Sequence, residues 1–308
     1  VLQAECEGHA VVDAGERYMV FDADDVDFRR LAMTKEIGAV LASAPTLEEL
    51  DVEAVDCGGS FAVRCTMFGD CEHSSRGVEE RVGAAIQEET GCRVELDDPD
   101  TVFRVYITSE EVYLCRQETL IDTGKFEDRR SHLRPFSSPV SLHPKLARTL
   151  VNLAGVKAGD AVLDPFCGTG GILIEAGLIG CAVYGSDVSE EMVEGCRENL
   201  AAHTIEGEVR QAPIEGVEGV FDRDFDAVVT DLPYGRASRK EGEDLELYRT
   251  FLDRAKKLCT GRVVFVSNMP DVLGLEHSFS VYVHSSLSRY IYVAGGDDLK
   301  TSGGEDEV

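Results

Sequence analysis

The sequence lacks membrane-spanning, secretory and metal-binding features. It contains no unbroken apolar run of about 18 residues, and its N-terminus has no basic segment followed by an apolar one. We therefore expect a cytoplasmic protein with no membrane partner. The ten cysteines include no C-x-x-C pair and the histidines have no ligand-like spacing, so we expect no metal and free thiols packed as small apolar side chains.

Lysine is scarce, and the chain carries a large excess of negative charge. Its 308 residues include 58 Asp and Glu against 30 Lys and Arg, of which only eight are Lys, for a net charge of −28. This charge repels polyanions. The acidic residues are spread over the whole chain, which is typical of a halophilic protein, and salt would screen the repulsion beyond a few ångströms. The charge therefore weighs against a nucleic-acid partner without excluding one.

The chain is long enough for two domains, and a basic stretch separates them. Residues 1–120 form an N-terminal α+β region, with strands predicted at 61–68 and 102–107 and a helix at 78–89. Residues 146–298 form the second domain, and 299–308 an acidic tail. Between them, residues 121–145 are either a proline-stiffened linker or an RNA-contacting surface. The basic residues proposed for RNA contact are Lys125, Arg129, Arg130 and Arg134.

A glycine-rich turn joins the first strand of the second domain to a helix. The apolar residues 161–163 end at Asp164, and a helical run follows at 172–179. Glycines at such a turn allow a ligand to approach the backbone and leave helix N-terminal amides free to bind it. A dinucleotide-binding turn would have a third glycine where Leu173 stands, and a phosphate loop would end in Gly-Lys-Ser/Thr. The turn consists of Pro165, Phe166, Cys167, Gly168, Thr169, Gly170 and Gly171.

Acidic residues end two further strands. Asp187 lies 23 residues after Asp164, where a carboxylate is placed to accept hydrogen bonds from two ribose hydroxyls; otherwise it supports the next helix N-terminus. Asp231 follows a buried strand at 225–230 and lies 67 residues after Asp164. Both residues therefore belong at the carboxyl edge of the sheet, where ligands of open α/β folds bind.

The turn at Asp231 suits chemistry on an aromatic amine, whose lone pair is delocalised into its ring. The Asp231 carboxylate and the Leu232 carbonyl each accept one amine hydrogen and so orient the nitrogen. Pro233 stiffens the turn, and Tyr234 offers a flat face for stacking a base. The remaining demand is alignment of the nitrogen with the transferred group. An Asp-x-Pro sequence alone is an ordinary loop, so its position on this strand carries the prediction.

These motifs resemble the archaeal tRNA (guanine-10) N2-methyltransferase family. Residues 94–100 are similar to the signature of THUMP RNA-binding domains, and residues 134–136 and 142–148 are similar to the family's linker. The resemblance implies a THUMP-like module followed by a Rossmann-like class I methyltransferase sheet with a reversed final strand. It implies S-adenosylmethionine as cofactor, tRNA as substrate and a monomer. Gln211 stands where many relatives have an Asp that holds adenine, and Leu232 where they have Pro.

Other functions remain open at this level. A methyltransferase for ribosomal RNA guanine or DNA adenine would share the turn at Asp231, although no DNA-recognition insertion is evident between Asp187 and Asp231. An RNA-binding protein with a vestigial methyltransferase fold is the alternative from another class, and a nicotinamide oxidoreductase is disfavoured by Leu173. Strands at 279–283 and 289–293 are predicted to be antiparallel because the loop between them is too short for a crossover.

Overall fold

The computed structural model describes residues 10–15, 17–23, 30–53, 55–69, 71–139, 141–233, 243–284 and 287–295. The chain divides into two compact units. The N-terminal unit contains Thr34–Asp122 and the β-hairpin that precedes it; the C-terminal unit contains Arg30–Met33 and the chain from Thr123 onward. Residues 123–145 therefore belong to the C-terminal unit and do not form a separate linker. No helix of the described ranges is long and apolar enough to cross a membrane.

The N-terminal unit is a hairpin and a five-stranded sheet with one helix. The sheet order is β3-β7-β6-β4-β5, with β5 and β6 parallel to β4. The helix α1 begins after Ser74, whose side chain accepts a hydrogen bond from the Gly77 amide, and it ends at Gly91 in the left-handed conformation. The elements are β1 Ala10–Ala14, β2 Met19–Asp22, β3 Glu36–Ala44, β4 Ser60–Met67, α1 Ser75–Thr90, β5 Arg93–Val94, β6 Thr101–Ile107 and β7 Val112–Leu120.

One disulfide in this unit contradicts the expectation that all cysteines are free. Cys57 and Cys92 are bonded, with their Cα atoms 6.6 Å apart. They precede β4 and β5, and these strands pair with Ser60 opposite Arg93, so the register brings the two thiols together. Among the residues that the structure describes, seven cysteines are free, and five of these are buried as predicted.

The C-terminal unit is built on a seven-stranded sheet of order β10-β9-β8-β11-β12-β16-β15. The first five strands of that order are parallel, and β16 is antiparallel to both β12 and β15. The predicted reversed final strand is therefore confirmed. The strands of this sheet are β8 Ala161–Asp164, β9 Ala182–Asp187, β10 Gly207–Gln211, β11 Phe225–Asp231, β12 Cys259–Ser267, β15 Phe279–His284 and β16 Leu287–Gly295. A separate two-stranded sheet consists of β13 Asp271–Val272 and β14 Leu275–Glu276.

Helices cover both faces of this sheet. Neighbouring residues of β11 belong to different cores: Val228 packs with α6 and α7, whereas Val229 packs with α3, α4 and α5. A strand buried on both faces is apolar along its whole length, which explains the unbroken run at 227–229. The helices are α2 Gly124–Glu127, α3 Pro144–Leu153, α4 Gly171–Leu178, α5 Glu190–Ala202, α6 Val217–Val220 and α7 Glu243–Leu258.

Candidate active site

The glycine turn connects β8 to α4 in a shape that requires glycine at two positions. Gly168 and Gly170 both have positive φ values, 49° and 80°, in the left-handed region that favours glycine. A Cβ atom on Gly170 would lie 2.7 Å from the Cys196 sulfur, so this side of the turn is packed against α5. A Cβ atom on Gly168 would meet nothing within 4 Å. The turn is therefore packed against α5 at Gly170 and leaves open space next to Gly168.

Asp187 holds the turn through main-chain amides. Its Oδ2 accepts a hydrogen bond from Gly168 N at 3.1 Å, and its Oδ1 accepts one from Ser189 N at 2.9 Å. Ser189 in turn caps α5 by accepting from Met192 N. Each carboxylate oxygen has a second lone pair, which leaves acceptors for two hydroxyl groups of a ligand. The predicted ligand role and the helix-supporting alternative are thus compatible.

Asp164 links the glycine turn to the strand that carries Asp231. It is only 2% exposed, and its Oδ1 accepts hydrogen bonds from Thr230 Oγ1 at 2.6 Å and from Phe166 N at 3.1 Å. Burial, reinforced by the charges of Asp231 and Asp187, raises the pKa of Asp164 to about 7. Its contacts make Asp164 a positioning residue in the structure, although we predicted that it contacts the cofactor.

Asp231 ends β11 and presents an unused hydrogen-bond acceptor. Its Oδ1 is inaccessible to water and has no hydrogen-bond partner within the described ranges. Burial raises the pKa of Asp231 to about 7, against the opposing effect of the positive charge of Arg289. A buried acceptor without a donor is costly in a folded protein unless a ligand supplies the donor. Asp231 Oδ1 is therefore an acceptor that a ligand with an N–H or O–H donor could satisfy.

Leu232, which stands where many relatives have proline, is held by a backbone hydrogen bond and by packing of its side chain. Its amide donates to Val266 O on β12 at 3.0 Å, a bond that proline would forgo. Its side chain is 1% exposed and packs in the core with Phe251 and Phe265. Pro233 is the last described residue of the turn, and Tyr234 lies outside the described residues.

Among the other residues predicted to bind the cofactor, one has an exposed side chain and the rest make contacts within the protein. Gln211 ends β10 as an exposed side chain, and its Nε2 donates to Val188 O at 3.0 Å. Pro165 O accepts a hydrogen bond from Ser186 Oγ, and the Phe166 ring packs against Phe251 at a centroid distance of 6.0 Å. Thr169 is 5% exposed, and its hydroxyl forms a hydrogen bond of 3.2 Å with the hydroxyl of a serine. That residue is Ser141, on the segment before α3.

The proposed RNA-contacting residues are not all on the surface. Arg129 forms a two-bond ion pair with the buried Glu175, at 2.8 and 3.1 Å, and Arg134 is 6% exposed. Their guanidinium groups are directed into the C-terminal unit, so their predicted contact with RNA phosphates is not supported. Arg130 is exposed and pairs with Glu127, whereas Lys125 Nζ lies over the Phe126 ring, 5.2 Å from its centroid.

Sequence reasoning missed two buried polar residues that support this site. Glu175 lies on α4 with no exposed surface and also pairs with Arg148 at 2.8 Å. Asn199 on α5 holds both the amide and the carbonyl of Phe136, at 3.0 and 2.8 Å, and the carbonyl of Thr169 at 2.9 Å. Glu175 had a signal in the sequence, a charged residue in the otherwise apolar helix α4, because a buried charge requires a partner. Asn199 had none, because α5 carries many polar residues.

Comparison with known proteins fits this geometry. Residues 33–116 match the THUMP domain model, and residues 131–276 match the RMKL-like methyltransferase domain, UPF0020. The chain is 41% identical to the tRNA (guanine(10)-N2)-dimethyltransferase of Methanothermobacter thermautotrophicus over 95% of its length and 93% of the relative. The chain belongs to the tRNA (guanine(10)-N2)-dimethyltransferase family. The enzyme of that name from Pyrococcus abyssi is 33% identical over 94% of the chain and 92% of the relative.

The fold of this dimethyltransferase family member also matches a solved structure. TrmN from Thermus thermophilus is 25% identical, with a TM-score of 0.53, over 95% of the chain and 93% of that structure. The predicted THUMP module followed by a Rossmann-like methyltransferase sheet is thereby confirmed. The chain is an enzyme of this methyltransferase family, and S-adenosylmethionine is the cofactor expected of it.

The residues at the sheet edge fit this cofactor. Gly168 leaves open space next to the turn, and Asp187 retains acceptors for ribose hydroxyls. In the parts of the chain that the structure describes, no group of three His, Cys, Asp or Glu side chains is placed to hold a metal ion.

We expect Gly168→Ala to weaken binding of S-adenosylhomocysteine about tenfold. The new methyl group enters the open space above the turn, and the left-handed backbone costs roughly 1–2 kcal/mol for alanine. Titration calorimetry measures the affinity. Gly219→Ala is the matched control, because its Cβ also meets nothing within 4 Å, but the residue lies on α6 with an ordinary φ. Equal affinity in both variants would contradict the proposed position of the cofactor.

Proposed function

We propose that this protein transfers methyl groups from S-adenosylmethionine to the exocyclic N2 amine of the guanine at position 10 of tRNA. The observation that carries this proposal is the buried, unpaired Oδ1 of Asp231, two strands away from Asp187 on the same sheet edge. The names of its relatives in Methanothermobacter and Pyrococcus support guanine 10 as the target and two methyl groups as the outcome.

The residues of the turn orient the amine. When bound, the cofactor supplies an electrophilic methyl group on its sulfonium. Asp231 Oδ1 accepts a hydrogen bond from one N2 hydrogen and the Leu232 carbonyl from the other, so that the nitrogen presents its lone pair out of the base plane. The proton that N2 loses on methylation passes to Asp231 Oδ1. Leu232 N, bonded to Val266 O, fixes the direction of this turn. Pro233 stiffens it, and Tyr234 is proposed to stack on the flipped guanine.

The remaining cofactor contacts are proposed from position. Asp187 binds the ribose hydroxyls, and Gly168, Thr169 and Gly170 line the amino-acid end. Gln211 is proposed to take the place of the adenine-binding Asp of many relatives. Its Nε2 donates to Val188 O, which leaves its Oε1 to accept a hydrogen bond from the adenine amine.

The tRNA is proposed to bind through the THUMP domain, helped by Lys125 and Arg130. We infer a monomer in the cytoplasm, where tRNA is processed, of a halophilic archaeon. The net charge of −28 supports a halophilic source. An acidic protein can approach RNA when salt screens the repulsion between their negative charges.

Methyl transfer is expected to rise with pH through about 7, the pKa of Asp231, and to reach a plateau above it. A raised pKa means that the carboxyl is protonated below 7, and protonation removes acceptor capacity. The rate constant kcat/KM for tRNA, measured at subsaturating tRNA between pH 5.5 and 9, reports this profile, because it follows ionisations of the free enzyme. In Asp231→Asn the rise should disappear, since Asn does not titrate. A profile unchanged by that substitution would assign the titration to another group, with Asp164 the first candidate.

The experiment that tests the proposed function uses unmodified tRNA and labelled S-adenosylmethionine, followed by mass spectrometry of nuclease fragments. We expect N2-methylguanosine, then N2,N2-dimethylguanosine, at position 10 only. Another relative, from Thermus thermophilus, is named for guanine 6, so label at position 6 would redirect the site assignment. Absence of label in any tRNA, with normal cofactor binding, would overturn the function.

A further inference from the structure

The buried carboxylate of Glu175, on the helix after the glycine turn, has three arginines near it, of which Arg134 and Arg148 are buried and Arg129 is partly exposed. Glu175 pairs with Arg129 and Arg148 at distances of 2.8 Å, and Arg129 and Arg148 also lie over the buried Phe126 ring, 5.1 and 5.9 Å from its centroid. Arg134 adds a third guanidinium without a carboxylate of its own among the described residues. The cluster therefore has an excess of positive charge, which is unfavourable in a buried place without an anion.

Arg134 has two donors that nothing uses. Its Nε donates to Arg129 O at 3.0 Å, whereas Nη1 and Nη2 are inaccessible to water and have no partner in the described chain. The residue is 6% exposed, and burial lowers its pKa despite the nearby Glu175. Nη1 lies 3.3 Å from where a Cβ atom on Gly171 would be. Its charge is therefore directed at the first residue of α4.

The segment that carries Arg134 is fixed relative to the glycine turn. Asn199 binds the backbone of Phe136 and the carbonyl of Thr169 at the same time. The Phe136 ring lies directly on Gly195, where any Cβ atom would collide with it. These contacts hold the segment of Arg134 next to Gly171, the first residue of α4.

We propose that Arg134 supplies the positive charge that holds the α-carboxylate at the methionine end of the cofactor, together with the N-terminus of α4. This inference rests on the proposed function for its ligand. The helix N-terminus directs free amides and a partial positive charge at an anion, and Gly171 places no side chain between that anion and Arg134. Because its nitrogens are enclosed, Arg134 acts as a positioning charge across Gly171.

The test compares two ligands that differ in the amino-acid end. S-adenosylhomocysteine has the carboxylate, whereas 5′-methylthioadenosine keeps the nucleoside and thioether without it. In Arg134→Met we expect the affinity for S-adenosylhomocysteine to fall about tenfold, as the loss of a unit-charge attraction at low effective dielectric allows. Affinity for 5′-methylthioadenosine should stay within about twofold. Arg134→Lys, which keeps the charge, should recover most of the loss.

Arg130→Met is the matched control, because Arg130 is an exposed arginine of the same segment. Equal losses for both ligands in Arg134→Met, or no recovery in Arg134→Lys, would overturn the proposal and leave a structural role. If Arg134→Met does not fold, the wild-type protein decides: an affinity for decarboxylated S-adenosylhomocysteine equal to that for the intact compound overturns it. Methylation of tRNA by the wild type, measured separately, tests the proposed function itself.

Discussion

Asp231→Ala is expected to lower the rate of methyl transfer to tRNA by about 10³-fold or more, while S-adenosylhomocysteine binds with nearly unchanged affinity. The substitution removes the acceptor Oδ1, which is buried and has no hydrogen-bond partner among the described residues. The lost hydrogen bond orients the amine only when the guanine is in place, so the effect should appear in kcat more than in cofactor binding. Single-turnover rates and calorimetry measure the two quantities.

A more conservative substitution at Asp231 should lower the rate of methyl transfer less. Asp231→Asn keeps one acceptor oxygen at nearly the same position, so we expect a smaller loss, of about 10- to 100-fold. Asp224→Asn is the control: Asp224 is an exposed acid shortly before β11, and its substitution should leave the rate unchanged. Full activity in Asp231→Ala would remove the amine-orienting mechanism.

Glu175→Gln should lower the free energy of unfolding of the C-terminal unit by about 3–5 kcal/mol. The substitution leaves Arg129 and Arg148 charged in the interior, where the fully buried carboxylate now neutralises them. Chemical denaturation, followed by circular dichroism, measures the change.

Glu127→Gln is the matched control for the stability measurement. It breaks exposed pairs with Arg130 and His143, which should cost about 0–1 kcal/mol. If both variants lose the same small amount, the buried cluster does not stabilise the unit, and the charge argument for Arg134 loses its basis as well.

The sequence predicted the parts of the site that depend on local chemistry. A left-handed turn needs glycine, so Gly168 and Gly170 marked the end of β8 correctly. Asp187 and Asp231 follow apolar runs that can only be buried strands, and parallel strands bring their carboxyl ends to one edge. These inferences require only neighbouring residues.

The errors arose from contacts between residues far apart in the sequence. Arg129 and Glu175 are separated by 46 positions, so a basic residue in a proline-rich stretch gave no sign that its partner lies on α4. Cys57 and Cys92 are 35 positions apart, and only the register of β4 and β5 joins them. Charge in an apparent linker was interpreted as solvated or RNA-binding, although Arg134 is buried and Arg129 pairs with the buried Glu175.

The central claim is that the exocyclic N2 amine of guanine 10 is held at Asp231 and accepts the methyl group. The most direct measurement compares two otherwise identical tRNAs, one with guanosine at position 10 and one with inosine, which differs only by lacking that amine. We predict that the guanosine tRNA incorporates label from S-adenosylmethionine and that the inosine tRNA incorporates none while binding the protein equally well. Equal methylation of the inosine tRNA would contradict the account.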